Sequence, residues 1–249
     1  MGENSVTERN ERIEVSERGA PRDGIPQAMD RRLFMQLMVF ESDKSLAPAD
    51  ALRNLAAALA RRNVASVVYE DVNNPYGLGV LSWSEDPLDF ATKLRPVFGD
   101  PEAKNLNLLR EFTMLGRSYS TGYEADLEYW ILRRPRETVL NEAWPWAVWY
   151  PLRRSGEFER LEPRERGTIM REHANIGKAY GSQDLAHDVR LACHGLDAND
   201  NEFVIGLMGK DLHPLSHVVQ AMRGTRQTSE YISQMGPFFV GRAVHRHAG

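Results

Sequence analysis

Two stretches of this chain say the same thing twice. VLSWSEDPLDFATKLRPV at 80–97 and VIGLMGKDLHPLSHVVQAM at 204–222 each run an apolar strand through a charged turn into an amphipathic helix. A repeat at that distance predicts two halves of like topology, each too small to bury its own apolar face. In the first half, Arg32–Phe40 reads as a buried strand and Ser45–Asn63 as a helix with Leu52, Leu55, Ala56 and Leu59 on one face. Val64–Glu70 and Leu78–Ser84 flank the turn Asn73–Gly77, a helix starts at Asp86-Pro87, and Leu108–Tyr119 returns as a strand. The second half gives strand Trp146–Leu152, helix Glu162–Tyr180, and strands Asp188–His194 and Glu202–Met208 around the turn Asp197–Asn201. Helix Pro214–Met222 and strand Phe238–Val244 follow. Each half is β-α-β-β-α-β, the ferredoxin-like unit, and two such sheets can face or close on each other. The expected division is 1–29, 30–125 and 126–249, with a polar, Arg-rich connector at Ser120–Ala143.

Residues 1–29 are rich in Glu, Arg, Gly, Pro and Ser, which predicts a disordered or loosely docked tail. The formal net charge of −4 argues against a general nucleic-acid binder. No apolar run nears the ~18–20 residues that span a bilayer, and the first residues lack the apolar stretch of a signal peptide. With a single cysteine, Cys193, no intrachain disulfide can form. A cytoplasmic location is the expectation.

Trp149–Gly181 draws most of the chemistry together: a strand end (Trp149, Tyr150, Pro151), a basic turn (Arg153, Arg154) and a long helix with one histidine, His173. If the helix folds back over the strand, an imidazole, cations and a phenol share one pocket. That set suits an iron porphyrin with carboxylate arms.

These residues also resemble a known family. WYPLRR, FERLEPRERGTIMREHANIGKAYG, GLDANDNEFVIGL and GPFFVGR are similar to the chlorite dismutase–coproheme decarboxylase superfamily over roughly residues 30–244, most strongly in the second half. The resemblance implies an α+β fold: a dimeric α+β barrel of two ferredoxin-like halves, with haem in the C-terminal half and often a homopentameric assembly. Tyr150, ahead of the proline, is like the coproheme decarboxylase branch, which converts Fe-coproporphyrin III (coproheme) to haem b with hydrogen peroxide. Chlorite dismutase or haem peroxidase activity, and a non-catalytic haem-binding role, are the alternatives.

The resemblance implies a role for each residue. His173, in the context EH-x-x-x-G, would ligate iron, with Gly177 clearing space on the same helix face. Tyr150 would carry a radical to a propionate. Arg136 and Arg154 would clamp propionates, with Arg133 or Arg134 able to replace Arg136. Ser229 or Thr228 would add a hydroxyl. Over the iron, counting from one side gives Asp188 and from the other Arg190; these lie two apart on one strand face, with His187 on the other. The pair His213/His217 lacks a third ligand and reads as a polar helix face, His245/His247 lack carboxylate or thiol company and read as a frayed tail, and Cys193 reads as a small buried residue. No Gly-rich phosphate loop or nucleophile elbow is present.

Overall fold

The computed structural model describes residues 13–249. Eleven strands and six helices follow in order: β1 (Glu17–Arg22), β2 (Ile25–Met29), β3 (Phe34–Ser42), α1 (Pro48–Arg61), β4 (Ser66–Asp71), β5 (Gly77–Ser84), α2 (Arg95–Val97), β6 (Leu106–Arg117), α3 (Arg134–Leu140), β7 (Trp146–Arg154), α4 (Gly156–Glu159), α5 (Pro163–Ser182), β8 (His187–Ala192), β9 (Phe203–Gly209), α6 (Leu212–Arg223), β10 (Ile232–Met235) and β11 (Phe239–His247). Wide π-helical turns lead into α2 (Phe90–Leu94) and α3 (Tyr129–Arg133), and a third, Gln227–Tyr231, leads into β10.

The first half orders its strands β4-β5-β3-β6 and the second β8-β9-β7-β11, the same ferredoxin-like pattern. β6 meets β8 at Arg117–Ala192, and β11 pairs with β4 along its length, so each sheet covers the other's edges. With β7 pairing both β9 and β11, eight strands close into a barrel. Closure removes the open edges that would otherwise invite aggregation. β10 extends β7 past the end of β11.

The barrel's interior is filled by one face of every strand, including Met35, Leu37, Tyr69, Trp83, Trp149 and Phe239. β4 and β5 are buried on both faces, which is why their sequence reads as continuous apolar runs. Gly206 sits so close beneath Trp149 that a Cβ there would lie 2.5 Å from its indole ring.

Helices cover the two outer faces unequally. α1 buries Ala51, Leu55, Ala56, Ala58 and Leu59 against the first half. α5 is longer, yet only Ile169 is buried. Its sheet-facing residues include Ala174, Gly177 and Gly181, too small to reach the strands beneath. Ile176 and Tyr180 touch the sheet cluster, but the small residues between leave a cavity in the second half.

The tail expectation fails for Glu17–Met29, which form a hairpin; residues 1–12 lie outside the described part. The hairpin is held by polar side chains rather than apolar burial. The Gln27 amide donates to the carbonyls of Ala20, Glu124 and Ala125, and Glu17 accepts from Arg117 and the Ser120 N–H. Composition measures apolar content and misses such anchoring. The Arg-rich connector is likewise largely helical over 129–140. Among the described residues no helix is long and apolar enough to cross a membrane.

Candidate functional site

Three antiparallel strands make one wall of the cavity. Register sets Tyr150 opposite Ile205 and Ile205 opposite Arg190; the next row is Val148, Leu207, Asp188. Both rows lie on the outer face, because the alternate residues Trp149, Val189 and Val204 belong to the interior. α5 supplies the opposite wall through His173 and Gly177, while Val218 and Met222 of α6 and Ile232 and Met235 of β10 close the sides. The enclosed volume is about 560 Å³, within the usual range for small-molecule sites.

His173 and Tyr150 therefore line one cavity, from helix and sheet respectively. The imidazole makes no hydrogen bond among the described residues, and its Nδ1 is shut off from solvent without a partner. Burial pushes its pKa below the usual histidine range, and the Arg190 guanidinium adds to the effect. The ring is thus held neutral, the form that ligates metals. Tyr150 stacks on Phe238 with ring centroids 4.7 Å apart and planes 21° apart. Burial raises its phenol pKa well above the ordinary value, and the Asp188 carboxylate pushes the same way.

Asp188 is held between two arginines. Arg134 Nη2 donates to Oδ1 at 2.7 Å and Nη1 to the backbone carbonyl at 2.8 Å, while Arg190 Nε lies 3.0 Å from Oδ2. Burial alone would raise the Asp188 pKa; the two guanidiniums outweigh it and leave it below the usual range. Asp188 is therefore an anion engaged on both oxygens and is poorly placed to act as a free base. The Arg134 guanidinium also sits 4.6 Å over the Trp130 ring, so the connector helix contributes the cation that the sequence offered as a replacement for Arg136 and an aromatic, Trp130, that it did not single out. The signal for it was the R-R-P-R run.

Three expected contacts are elsewhere. Arg154 shares the face of Tyr150 but lies beyond the cavity: Glu202 and Glu159 pair with it, and its guanidinium rests 4.3 Å and 4.8 Å from the rings of Phe158 and Phe203. Arg136, two residues round the helix from Arg134, points into the first half and pairs with Glu85 at 2.6 Å. Ser229 spends its hydroxyl on the Thr225 carbonyl at 2.9 Å, and Thr228 lines the cavity instead. Lys178 of α5 also lines it, with no ion pair among the described residues. The buried Gln227 lines the cavity too, and its Oε1 has no partner among the described residues. The His187 ring is stacked on Trp144 at 3.6 Å and bonded to Asp184.

Comparison with known proteins gives a family match and a fold. The chlorite dismutase family model matches residues 128–244. No curated protein matches the sequence significantly. Among solved structures, chlorite dismutase from Candidatus Nitrospira defluvii in complex with imidazole superposes with a TM-score of 0.68 at 16% identity, covering 87% of this chain and 93% of that one. A haem-binding protein from Thermus thermophilus gives 0.67 at 18%, covering 88% and 94%. At such identities the likeness speaks for the fold, and the family match coincides with every wall of the cavity. Residues 128–244 match the chlorite dismutase family model, and the whole chain adopts the barrel seen in the chlorite dismutase structures.

Proposed function

We propose that this protein is a haem-pathway enzyme that decarboxylates coproheme oxidatively with hydrogen peroxide. The observation that carries the reading is the shared cavity: a neutral helix imidazole faces a strand phenol across an apolar space. The residues fit an iron porphyrin. The Nδ1 of His173 is buried and unpartnered, a costly arrangement that a ligated imidazole would justify. Mostly apolar side chains line the space between, and small residues on α5 keep it open.

In this reading His173 holds the iron, while Lys178, Thr228 and the Gln227 amide meet propionate carboxylates at the rim. Arg134 and Arg190 add positive potential, tempered by Asp188. With peroxide, the bound iron porphyrin supplies one-electron oxidising power. Tyr150 then gives up an electron and its phenolic proton, takes a hydrogen atom from a propionate β-carbon, and is restored. Each propionate, with one peroxide and one proton, yields a vinyl group, carbon dioxide and two waters, and the charges balance. Stacking on Phe238 holds the phenol in position, and its hydroxyl has no hydrogen-bond partner among the described residues.

Iron coproporphyrin III titrated with peroxide should lose first one and then a second carboxyl, read by mass. Tyr150→Phe should bind it and leave its mass unchanged; full turnover by that variant would remove Tyr150 from the mechanism. His173→Ala should lose the Soret shift on binding. The resemblance adds a homopentamer, which sedimentation tests.

Arg190 favours a second reading. A guanidinium on the sheet wall can stabilise an oxyanion, so chlorite breakdown by the haem b form, lost in Arg190→Ala, would place the protein with the dismutases. A bound haem with neither activity would make it a haem-binding protein.

A further inference from the structure

Besides Tyr150, the cavity is lined by a second phenol, Tyr180 of α5, and by one indole, Trp130. The three differ in what happens to charge when they are oxidised. An oxidised phenol is a strong acid, so losing an electron is easy only if a base takes the proton at once. Tyr150 has no hydrogen-bond partner among the described residues. Trp130 lies beneath the Arg134 guanidinium at 4.6 Å, and a cation over the ring opposes formation of a second positive charge.

Tyr180 alone has a base of the protein itself bonded to its hydroxyl; Tyr150 depends on a group bound in the cavity, such as a propionate carboxylate, to take its proton. The Tyr180 hydroxyl is hydrogen-bonded to Nδ1 of His217 on α6, with the two rings 5.9 Å apart. His217 is exposed, and His213, one helical turn away, has its ring 6.0 Å from it. A proton accepted by His217 can therefore pass to water without crossing the cavity. The pair joins the inner wall to the surface across the α5–α6 contact.

We propose that Tyr180 and His217 form a proton-coupled redox pair that drains oxidising equivalents from the cavity to the protein surface when no propionate consumes them. This rests on the reading of the cavity as a peroxide-using porphyrin site. Hydroperoxide is the oxidant. The Tyr180 O–H bond breaks, its electron goes to the oxidised centre in the cavity and its proton to His217 Nδ1. A small hydrogen-atom donor of the ascorbate or phenol class at the surface returns Tyr180 to its resting form, and His217 releases its proton. Two such cycles, with two protons taken up in the cavity, reduce one peroxide to two waters. The chain thus gains a peroxidase outlet separate from Tyr150.

The test has two arms. In the apo-protein, flash oxidation by a ruthenium trisbipyridine photo-oxidant should generate a tyrosyl radical by EPR. Tyr180→Phe should remove most of it, and His217→Gln should reduce its yield and slow its formation. In the haem-loaded protein treated with peroxide, Tyr150→Phe should retain a radical that Tyr150→Phe/Tyr180→Phe lacks, and ascorbate should quench it. If the apo-protein radical is unchanged by both Tyr180→Phe and His217→Gln, the pair is overturned, whatever haem does. If the apo arm succeeds and porphyrin does not bind, the pair stands as a redox site and the porphyrin reading falls.

Discussion

Tyr150 and Arg190 stand in one register row, each paired with Ile205 of the strand between them. The phenol and the guanidinium thus project from the same wall, and Asp188 in the adjoining row ties the arginine back to Arg134. This row sets the charge of the cavity: two cations share one carboxylate.

Replacing Asp188 by Asn should expose that balance. Two guanidiniums would be released toward the cavity, and coproheme, with four carboxylates, should gain more affinity than haem b with two. Raised salt should erase the difference. About a third of each side chain of the Asp188–Arg190 pair is accessible, so the loss of stability should stay near 1 kcal/mol. Porphyrin titrations at low and high salt measure the first effect and urea unfolding the second. Equal affinities for the two porphyrins would show that the arginines stay fixed without the carboxylate.

Gly206 carries a different constraint. An alanine there would put its Cβ 2.5 Å from the Trp149 indole, which is buried in the apolar interior of the barrel. Overpacking of this kind costs about 1–3 kcal/mol. Its neighbours Ile205 and Leu207 form the cavity floor, so Gly206→Ala should lower both the unfolding midpoint and porphyrin affinity. Thermal unfolding of the apo-protein separates the two effects, since it reads the barrel alone.

Much of this was legible in the chain. The repeat and the alternating apolar runs placed the eight barrel strands, and the helix-borne His173 and strand-borne Tyr150 do meet one cavity. What failed has a common cause: polar partners. Arg154 lies on the expected face, but Glu202 and Phe203, beside it on β9, hold it in place. Arg136 and Arg134 differ by two helix positions, and only the tertiary neighbours Glu85 and Asp188 decide which faces the cavity. The hairpin Glu17–Met29 is secured by Gln27 and Glu17, whose bonds run to residues about a hundred positions away. Local patterns carry no record of such long-range pairs.

Acid should act through Asp184. Its carboxylate receives the Lys210 ammonium, the His187 ring and the Trp144 indole N–H, and these hold its pKa down to about 2. A folded pKa below the unfolded value means its stabilisation is complete above the ordinary carboxylate range and is lost as pH falls through about 2. Asp184→Asn should therefore be less stable than the parent at neutral pH, and the gap should close progressively below about pH 4. Urea unfolding across that range measures it. A gap unchanged down to the acid limit would mean that the Asp184 contacts act by shape and not by charge.

Arg154 and Lys178 should separate stability from binding. Arg154 and Glu202 are both about 85% buried, their side chains being 13% and 15% accessible, and removing one member of a buried pair costs about 3 kcal/mol because the other charge is stranded. Arg154→Ala should therefore unfold at markedly lower urea while binding porphyrin with unchanged affinity wherever it remains folded. Lys178 is exposed on α5, pairs with no acid among the described residues, and reaches the cavity rim. Lys178→Ala should leave unfolding unaltered and weaken binding about tenfold, the worth of one charge-assisted contact. Lys178→Arg should recover part of the loss, since charge and reach are kept. If the pattern were reversed, with Arg154→Ala losing porphyrin at full stability, the carboxylate contacts would lie at the Glu202 end of the cavity and the rim would have to be redrawn.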